Sequence, residues 1–551
     1  MSETTLREMY LKFFTVLLSQ LLFYHLAQAQ HKHFTRHDTL RGSLSPLRTC
    51  YDVYFYDLNL EIDPGKKYIR GSNTIYFKAT EPFKTIQVDL FSVLKIDSIS
   101  YHNETLHFKR DSNAVFISFG KIIQPFSSDS VSIYYSGSPI EATNPPWDGG
   151  LIWTKDARGY PWAGVACEGD GASMWWPCKD HPSDEADSIR MTFKVPKGLK
   201  CISNGTLEEV IPCEDAQAFR WMVHYPINNY NVTFYIGNYV EVKDQYIRPD
   251  SSTLELRYYV LADNEGIALD YFQQVKPMLR CFEHYFGHYP FPKDGYAIVE
   301  APYLGMEHQS AIAYGNKFRK NMLGYDYIVI HESAHEWWGN NVTACDHGDL
   351  WIQESFTTYA EALFVECMFD FNTAVTYLLQ QRNYIKNREP VKGPSHVNYH
   401  YWQDSDMYYK GSWMLHTLRS VLDNDSLWFS ILKELQQQYA QKQVCTEELV
   451  NFISQKAKMN LKPFFNQYLL NTEIPVFKYK IEKKRGKYYF KYCLKASEKD
   501  FSLPLKIKDG DGNYIKITAE DKFKKVEIGE NSLEDFKFPT DLYYISVEKL
   551  N

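Results

Sequence analysis

The sequence predicts a multidomain α+β protein, with a β-rich block, a mostly helical block and a smaller β block in that order. Three observations carry this. At 551 residues the chain is too long for one ordinary domain. Runs of β-branched and aromatic residues between turn signals fill Leu47 to Val242 and return after Pro475. Between them, apolar residues recur at helical spacing.

The elements follow in chain order. Arg7 and Lys12 precede an apolar run from Phe13 to Leu26 and the exit Ala27-Gln28-Ala29, which predicts a secretory signal peptide over 1–29. The run contains Ser19, Gln20 and His25 and is short for a membrane span, so no stable span is expected after cleavage. The expected location is outside the cytoplasm, periplasmic or secreted. His31, His33 and His37 then read as a solvated tail. In 30–242, "DVYFYDLNLEID", "SNTIYFKA", "AVFISF", "SVSIYYSG" and "NVTFYIGNYVEV" predict strands of a mostly antiparallel N-terminal domain. In 243–475, "GIALDYFQQVKPMLRCFEHYFG" predicts helix and "GYAIVEAP" one more strand. In 476–551, "FKYKIEKK", "GKYYFKYCLKA", "LPLKIK" and "YIKITA" predict a C-terminal β domain. "DGDGN" at 509–513 begins like a calcium loop, but Tyr514 stands where that loop needs glycine, so a hairpin turn is expected.

A net charge of −8 removes the basic footprint of a nucleic-acid-binding protein. Ten cysteines in so long a chain do not make a disulfide scaffold. Cys201 and Cys213 could close a hairpin or stay as two free thiols.

The chemistry concentrates in "HESAHEWWGNNVTACDHGDLWIQE", from His331 to Glu354. "DYIVIHESAHEWW" lacks Gly and Pro and predicts a helix. Residues four apart share a helix face, so His331 and His335 can offer two imidazoles to one metal ion. Two neutral nitrogens suit Zn²⁺, whose catalytic sites take three protein ligands and leave one position open. Glu332, beside the first histidine, is placed to hold and deprotonate a zinc-activated water as general base. Glu354 lies one turn into a following helix that Asp349 could cap, with 18 residues between it and His335. It is the candidate third ligand of a single Zn²⁺.

HExxH-x18-E resembles the signature of the gluzincin aminopeptidases typified by aminopeptidase N. "YLGMEHQSAIAYGN" resembles that family's G-x-M-E-N strand, with Gly305, Met306 and His308 around Glu307. The resemblance implies that Glu307 binds the substrate's free α-amine. "MYYKG" resembles Y-x-K-G, which implies that Tyr408 hydrogen-bonds the oxyanion. "VACEGDGASMWWPCKD" resembles the segment supplying a second amine-binding carboxylate or amide, here Glu168. "RGSLSPLRTCYDVYFYDLNLEID" is similar to the start of bacterial exported members. The chain departs from the pattern at Leu304 and His308, and at Gln353 and Ser355 where Asn and Gly are common.

The resemblance implies a saddle-like N-terminal β domain, a thermolysin-like catalytic domain and an aminopeptidase acting on peptides with a free N-terminus. Carboxylates beside the metal would pair with the terminal ammonium and reject blocked peptides. A zinc endopeptidase would share HExxH but have no use for Glu307. A catalytically dead peptide-binding protein would usually have lost a ligand or the base, whereas His331, Glu332, His335 and Glu354 are all present. Lys410 and Glu336 read as structural or supporting residues.

Overall fold

The computed structural model describes residues 34–399, 402–508, 514–528 and 538–551. The expected leader, His31, His33 and the 509–513 turn lie outside the described residues. His37 is not in a tail. It sits in the short helix Arg36–Gly42, with its ring edge-on to Phe91 and its Nδ1 3.1 Å from the Ser112 hydroxyl.

The N-terminal block is a β domain with an eight-stranded sheet beside a three-stranded and a four-stranded one. Its first strand, Tyr51–Asp63, alternates as the sequence requires. Leu58, Leu60 and Ile62 are buried while Asn59 and Glu61 are exposed, the period of a half-buried strand. The strand pairs antiparallel with Tyr68–Ala79 but parallel with Ser188–Pro196, so the sheet is mixed rather than wholly antiparallel. Hydrophobic alternation defines a strand's faces and leaves the direction of its neighbour open.

"NVTFYIGNYVEV" forms two strands, not one. Phe234–Gly237 stays in the first domain, paired with Lys200–Ser203. Tyr239–Ile247 pairs with Thr253–Leu261 in the five-stranded sheet of the next domain. The chain therefore changes sheet at Asn238, four residues before position 242. Nothing in an uninterrupted β-prone run shows which sheet each half joins.

That five-stranded sheet ends in the short edge strand Gly305–Met306, antiparallel to Ile312–Tyr314. Three helices matter for the site: the first lies against the edge of this sheet, the second packs on the first, and the third packs on the second. The histidine helix, Tyr327–Ala334, is N-capped by Asp326, whose carboxylate accepts from the Ile328 N–H. The Glu354 helix spans Trp351–Met368 and the Tyr408 helix spans Asp406–Leu422. No described helix is long and apolar enough to cross a membrane.

Two disulfides brace the helical domain. Cys281–Cys367 joins the helix Val275–Phe286 to the end of the Glu354 helix. Cys345–Cys445 ties the segment leading into that helix to the residue before the helix Thr446–Ala457. Cys201 and Cys213 are free thiols, one buried and one exposed. In the C-terminal β part, Leu503–Lys508 and Tyr514–Ala519 pair antiparallel around the undescribed turn. This part shares one apolar core with the helices, and the Arg382 guanidinium lies 5.0 Å from both the Trp413 and Tyr544 rings.

Candidate active site

The helix expected over 326–338 ends at Ala334. His335 is its C-cap, yet its backbone stays right-handed helical (φ −61°, ψ −21°). The i, i+4 relation therefore survives, and the two imidazole rings stand 5.0 Å apart. Glu354 comes to them from the next helix. Its Oε2 lies 3.6 Å from His331 Nε2 and 3.5 Å from His335 Nε2. Asp349 does not cap that helix, whose N-cap is Leu350 with no side-chain cap. Its carboxylate instead takes Lys392 and the Thr446 hydroxyl.

Whether zinc fits can be tested on the donor atoms. Nδ1 of His331 sits 2.7 Å from Glu361 Oε1, and Nδ1 of His335 sits 2.8 Å from the Trp338 carbonyl. Each Nδ1 then carries the ring proton as a donor, which leaves each Nε2 as a lone pair aimed at Glu354. Glu354 Oε2 is buried with no hydrogen-bond partner. Three ligand atoms thus converge, and a metal ion would displace any proton from the two Nε2 atoms. Ligands at ~2.0–2.1 Å on a tetrahedral zinc lie roughly 3.3 Å apart, close to these separations. The residues fit the ion.

Charge in the pocket follows the same logic. Burial opposes ionisation of Glu354, but His335 and His331, whose protonated forms its carboxylate favours in return, outweigh it and hold its carboxyl at about 2; a zinc ion would take the place of their Nε2 protons. Glu332 is pushed up to about 8 by burial, with His331 pulling the other way and Glu307 adding repulsion. A bound dication would favour its carboxylate.

The structure brings the remaining candidates together with one exception. One carboxylate oxygen each of Glu168, Glu307 and Glu354 lie within 4.8 Å of one another, as do ligand atoms of Glu307, Glu332 and His335. Burial raises the Glu168 carboxyl well above its ordinary range, and repulsion from Glu307 adds to this. Gly305 is required by close approach, since a Cβ there would stand 2.3 Å from Glu332 Oε1. Met306 is buried beside it in the edge strand. The Tyr408 ring lies 6.2 Å from the His331 ring at 29°. Burial lifts its phenol well above the usual range, so it stays a proton donor.

His308 is the exception. It is 0% exposed, and its Nδ1 meets the Tyr235 hydroxyl at 2.6 Å in the N-terminal domain. No part of it is accessible to a substrate.

Three supporting residues carry weight beyond the motif. Glu361 orients His331 and itself takes Tyr377 and, at 2.9 Å, Gln381. Its signal was present, because it stands seven residues after Glu354 and so on the same helix face. Tyr230 had no local signal, and Gln353 stood out only as a departure from the usual Asn. Tyr230 comes from the N-terminal domain and donates to Glu307 Oε1 at 2.9 Å. Lys410 and Glu336 act in support. Lys410 donates to the Asn471 carbonyl at 2.7 Å, and Glu336 accepts from Ser310 N–H and Tyr289 OH, both at 2.9 Å.

Comparison with known proteins agrees with this geometry. Residues 271–468 match the model of the peptidase family M1 domain, inside the 243–475 block. The chain carries a peptidase family M1 domain. "Probable aminopeptidase 2" of Sulfurisphaera tokodaii is 27% identical over 319 residues, covering 55% of this chain and 38% of that protein. "Leucyl aminopeptidase" of Saccharolobus solfataricus is 22% identical over 439 residues, covering 76% and 53%. The chain thus spans about half or less of the length of these aminopeptidase relatives. A crystal structure of the M1 zinc metallopeptidase of Deinococcus radiodurans superposes with a TM-score of 0.66 at 21% identity, covering 77% of this chain and 94% of that one. The multidomain fold is shared.

Proposed function

We propose that the protein is a zinc-dependent aminopeptidase that removes N-terminal residues from peptides. One observation carries this reading. Two carboxylates, Glu168 and Glu307, stand with their oxygens within 4.8 Å of the metal-ligand carboxylate of Glu354. Neither is needed to complete the His331, His335 and Glu354 set. A pocket that gathers carboxyl groups there suits a terminal ammonium, whose arrival would favour the ionised form of Glu168 and bring the first carbonyl to the metal.

One Zn²⁺ is proposed, because two of the other clusters reuse His335 or Glu354 and the third, Cys345, Asp349 and Cys445, has both sulfurs joined in a disulfide. Bound there, it would supply Lewis acidity that polarises the carbonyl and acidifies water. Glu332 takes the proton of the attacking water and returns it to the leaving amine. Tyr408 donates to the developing oxyanion. Glu307 and Glu168 hold the ammonium and exclude acylated N-termini, which carry no charge to pair. We also propose export from the cytoplasm. The predicted leader and the two disulfides support it, since such bonds persist in oxidising compartments.

The test is hydrolysis of one peptide series, free and N-acetylated, by the zinc-loaded protein. Sequential release of single residues from the free series alone is the expected result. Internal cleavage of both series would make the protein an endopeptidase and remove the amine roles of Glu307 and Glu168.

A further inference from the structure

The carboxylate of the amine anchor is held by a residue of the N-terminal domain. Glu307 Oε1 accepts from the Tyr230 hydroxyl at 2.9 Å, and that hydroxyl lies 2.9 Å from Gln353 Nε2. The direction of this chain is forced. Gln353 Oε1 accepts from the Ala344 N–H at 3.2 Å, so its Nε2 is the end that meets Tyr230 and can only donate. The phenol therefore accepts from Gln353 and spends its single proton on Glu307. Oε1 is fixed, and the other oxygen is left for a cationic partner.

Tyr230 itself cannot drift. It sits in the turn Asn229–Asn231, whose flanking asparagines are tied to both domains. Asn231 Nδ2 donates to Asn340 Oδ1 at 2.6 Å, and Asn229 Nδ2 donates to the Lys179 carbonyl at 2.7 Å. Asn340 in turn donates to the Glu307 carbonyl at 2.8 Å. At the other end of the chain, Gln353 immediately precedes the ligand Glu354. A link of two hydrogen bonds thus runs from the neighbour of a metal ligand to the amine anchor.

We propose that Tyr230, held by Gln353, is a positioning residue that fixes the separation between the amine anchor Glu307 and the metal. The proposal rests on the aminopeptidase reading. That separation determines whether an ammonium on Glu307 presents the first carbonyl of a peptide, so the link acts as a ruler for removal of one residue. Gln353 stands where the resemblance leads one to expect Asn, and its extra methylene is part of the reach to Tyr230.

The experiment uses two hydroxamates that differ only by the α-amine, leucine hydroxamate and isocaproyl hydroxamate, with inhibition constants measured on the zinc-loaded protein. The wild type should prefer the amine-bearing compound, and Glu307→Ala should erase the preference. Tyr230→Phe and Gln353→Leu should each reduce it about tenfold, the worth of one hydrogen bond to a charged group. Both should leave zinc content and isocaproyl hydroxamate affinity unchanged. The double variant should be no worse than Tyr230→Phe, because the two residues act in one chain. Should Tyr230→Phe fail to fold, Gln353→Leu alone carries the test. Equal weakening of both compounds would reduce the link to a structural role and overturn the proposal. A full preference in both variants, with Glu307→Ala erasing it, would overturn the proposal and keep amine recognition. A preference that survives Glu307→Ala would sink amine recognition and the proposal together.

Discussion

Glu354 and Glu185 are both buried glutamates with an oxygen that no donor reaches, in two different regions of the molecule. Glu354 lies in the candidate metal pocket and is held at about 2. Glu185 lies where the N-terminal domain meets Thr343 and Gln443, and burial pushes it up to about 7. Burial is common to both. What differs is convergence: two imidazole Nε2 atoms face Glu354 at 3.6 and 3.5 Å, and their Nδ1 protons are already committed elsewhere. A buried, unsatisfied carboxylate therefore marks a site only when other ligands face it. Alone, it is simply a cost of folding.

The largest effects should separate members of the metal set from its neighbours. Glu354→Ala should lose the ion and with it essentially all activity. Glu332→Gln should keep the ion, because Glu332 is not among the three ligands, and lose about a thousandfold in kcat. Metal content by elemental analysis beside kcat checks both. Zinc loss in Glu332→Gln would place that carboxylate among the ligands and redraw the site.

Next comes the group that orients a ligand without touching the ion. Glu361→Gln leaves His331 with a weaker, neutral partner. Zinc affinity, measured by competition with a chelator, should fall about ten- to hundredfold while the fold is retained. An unchanged affinity would mean that the His331 ring is fixed by packing alone.

Packing between helices gives the third prediction. A Cβ at Gly411 would stand 1.8 Å from Ser355 Oγ, where the Tyr408 and Glu354 helices cross. Ser355 also donates to the Met407 carbonyl at 2.7 Å, next to Tyr408. Gly411→Ala should cost ~2–3 kcal/mol in denaturant unfolding and lower kcat by moving the phenol. Adding Ser355→Gly should recover most of both. If the double variant stays as weak as the single one, the close crossing is not what holds Tyr408.

The contrast also explains what could be read in advance. His331, Glu332 and His335 were legible because helical spacing converts sequence distance into geometry. Glu354 was legible through its position one turn into the next helix, and the three-block architecture through hydrophobic periodicity. Tyr230 was not legible. It lies 77 residues from the carboxylate it binds, in another domain, and only the packing of two sheets brings them together. The Cys281–Cys367 and Cys345–Cys445 pairings, with separations of 86 and 100 residues, were hidden for the same reason. The early helix end at Ala334 and the burial of His308 against Tyr235 are likewise decided by tertiary contacts that local propensity does not contain.

The smallest effect tests the other side of the comparison, the carboxyl that no cationic group faces. The folded Glu185 carboxyl titrates at about 7, against an ordinary value of 4.5. Its pKa is raised on folding, so the native state holds a proton that the unfolded chain releases. The stability this group allows is therefore complete below the unfolded value and is lost as pH rises through the folded one. Glu185→Gln keeps the shape and removes the ionisation. It should match the wild type in denaturant unfolding near pH 4 and exceed it by about 1–2 kcal/mol near pH 8.5, a discounted share of ~1.4 kcal/mol per pKa unit. Zinc content should not change, because no imidazole faces this group. A gain independent of pH would mean that the substituted amide packs better for reasons of shape. A loss at high pH would mean that the ionised carboxylate finds a partner across the joint, and the contrast between the two buried glutamates would then rest on geometry alone.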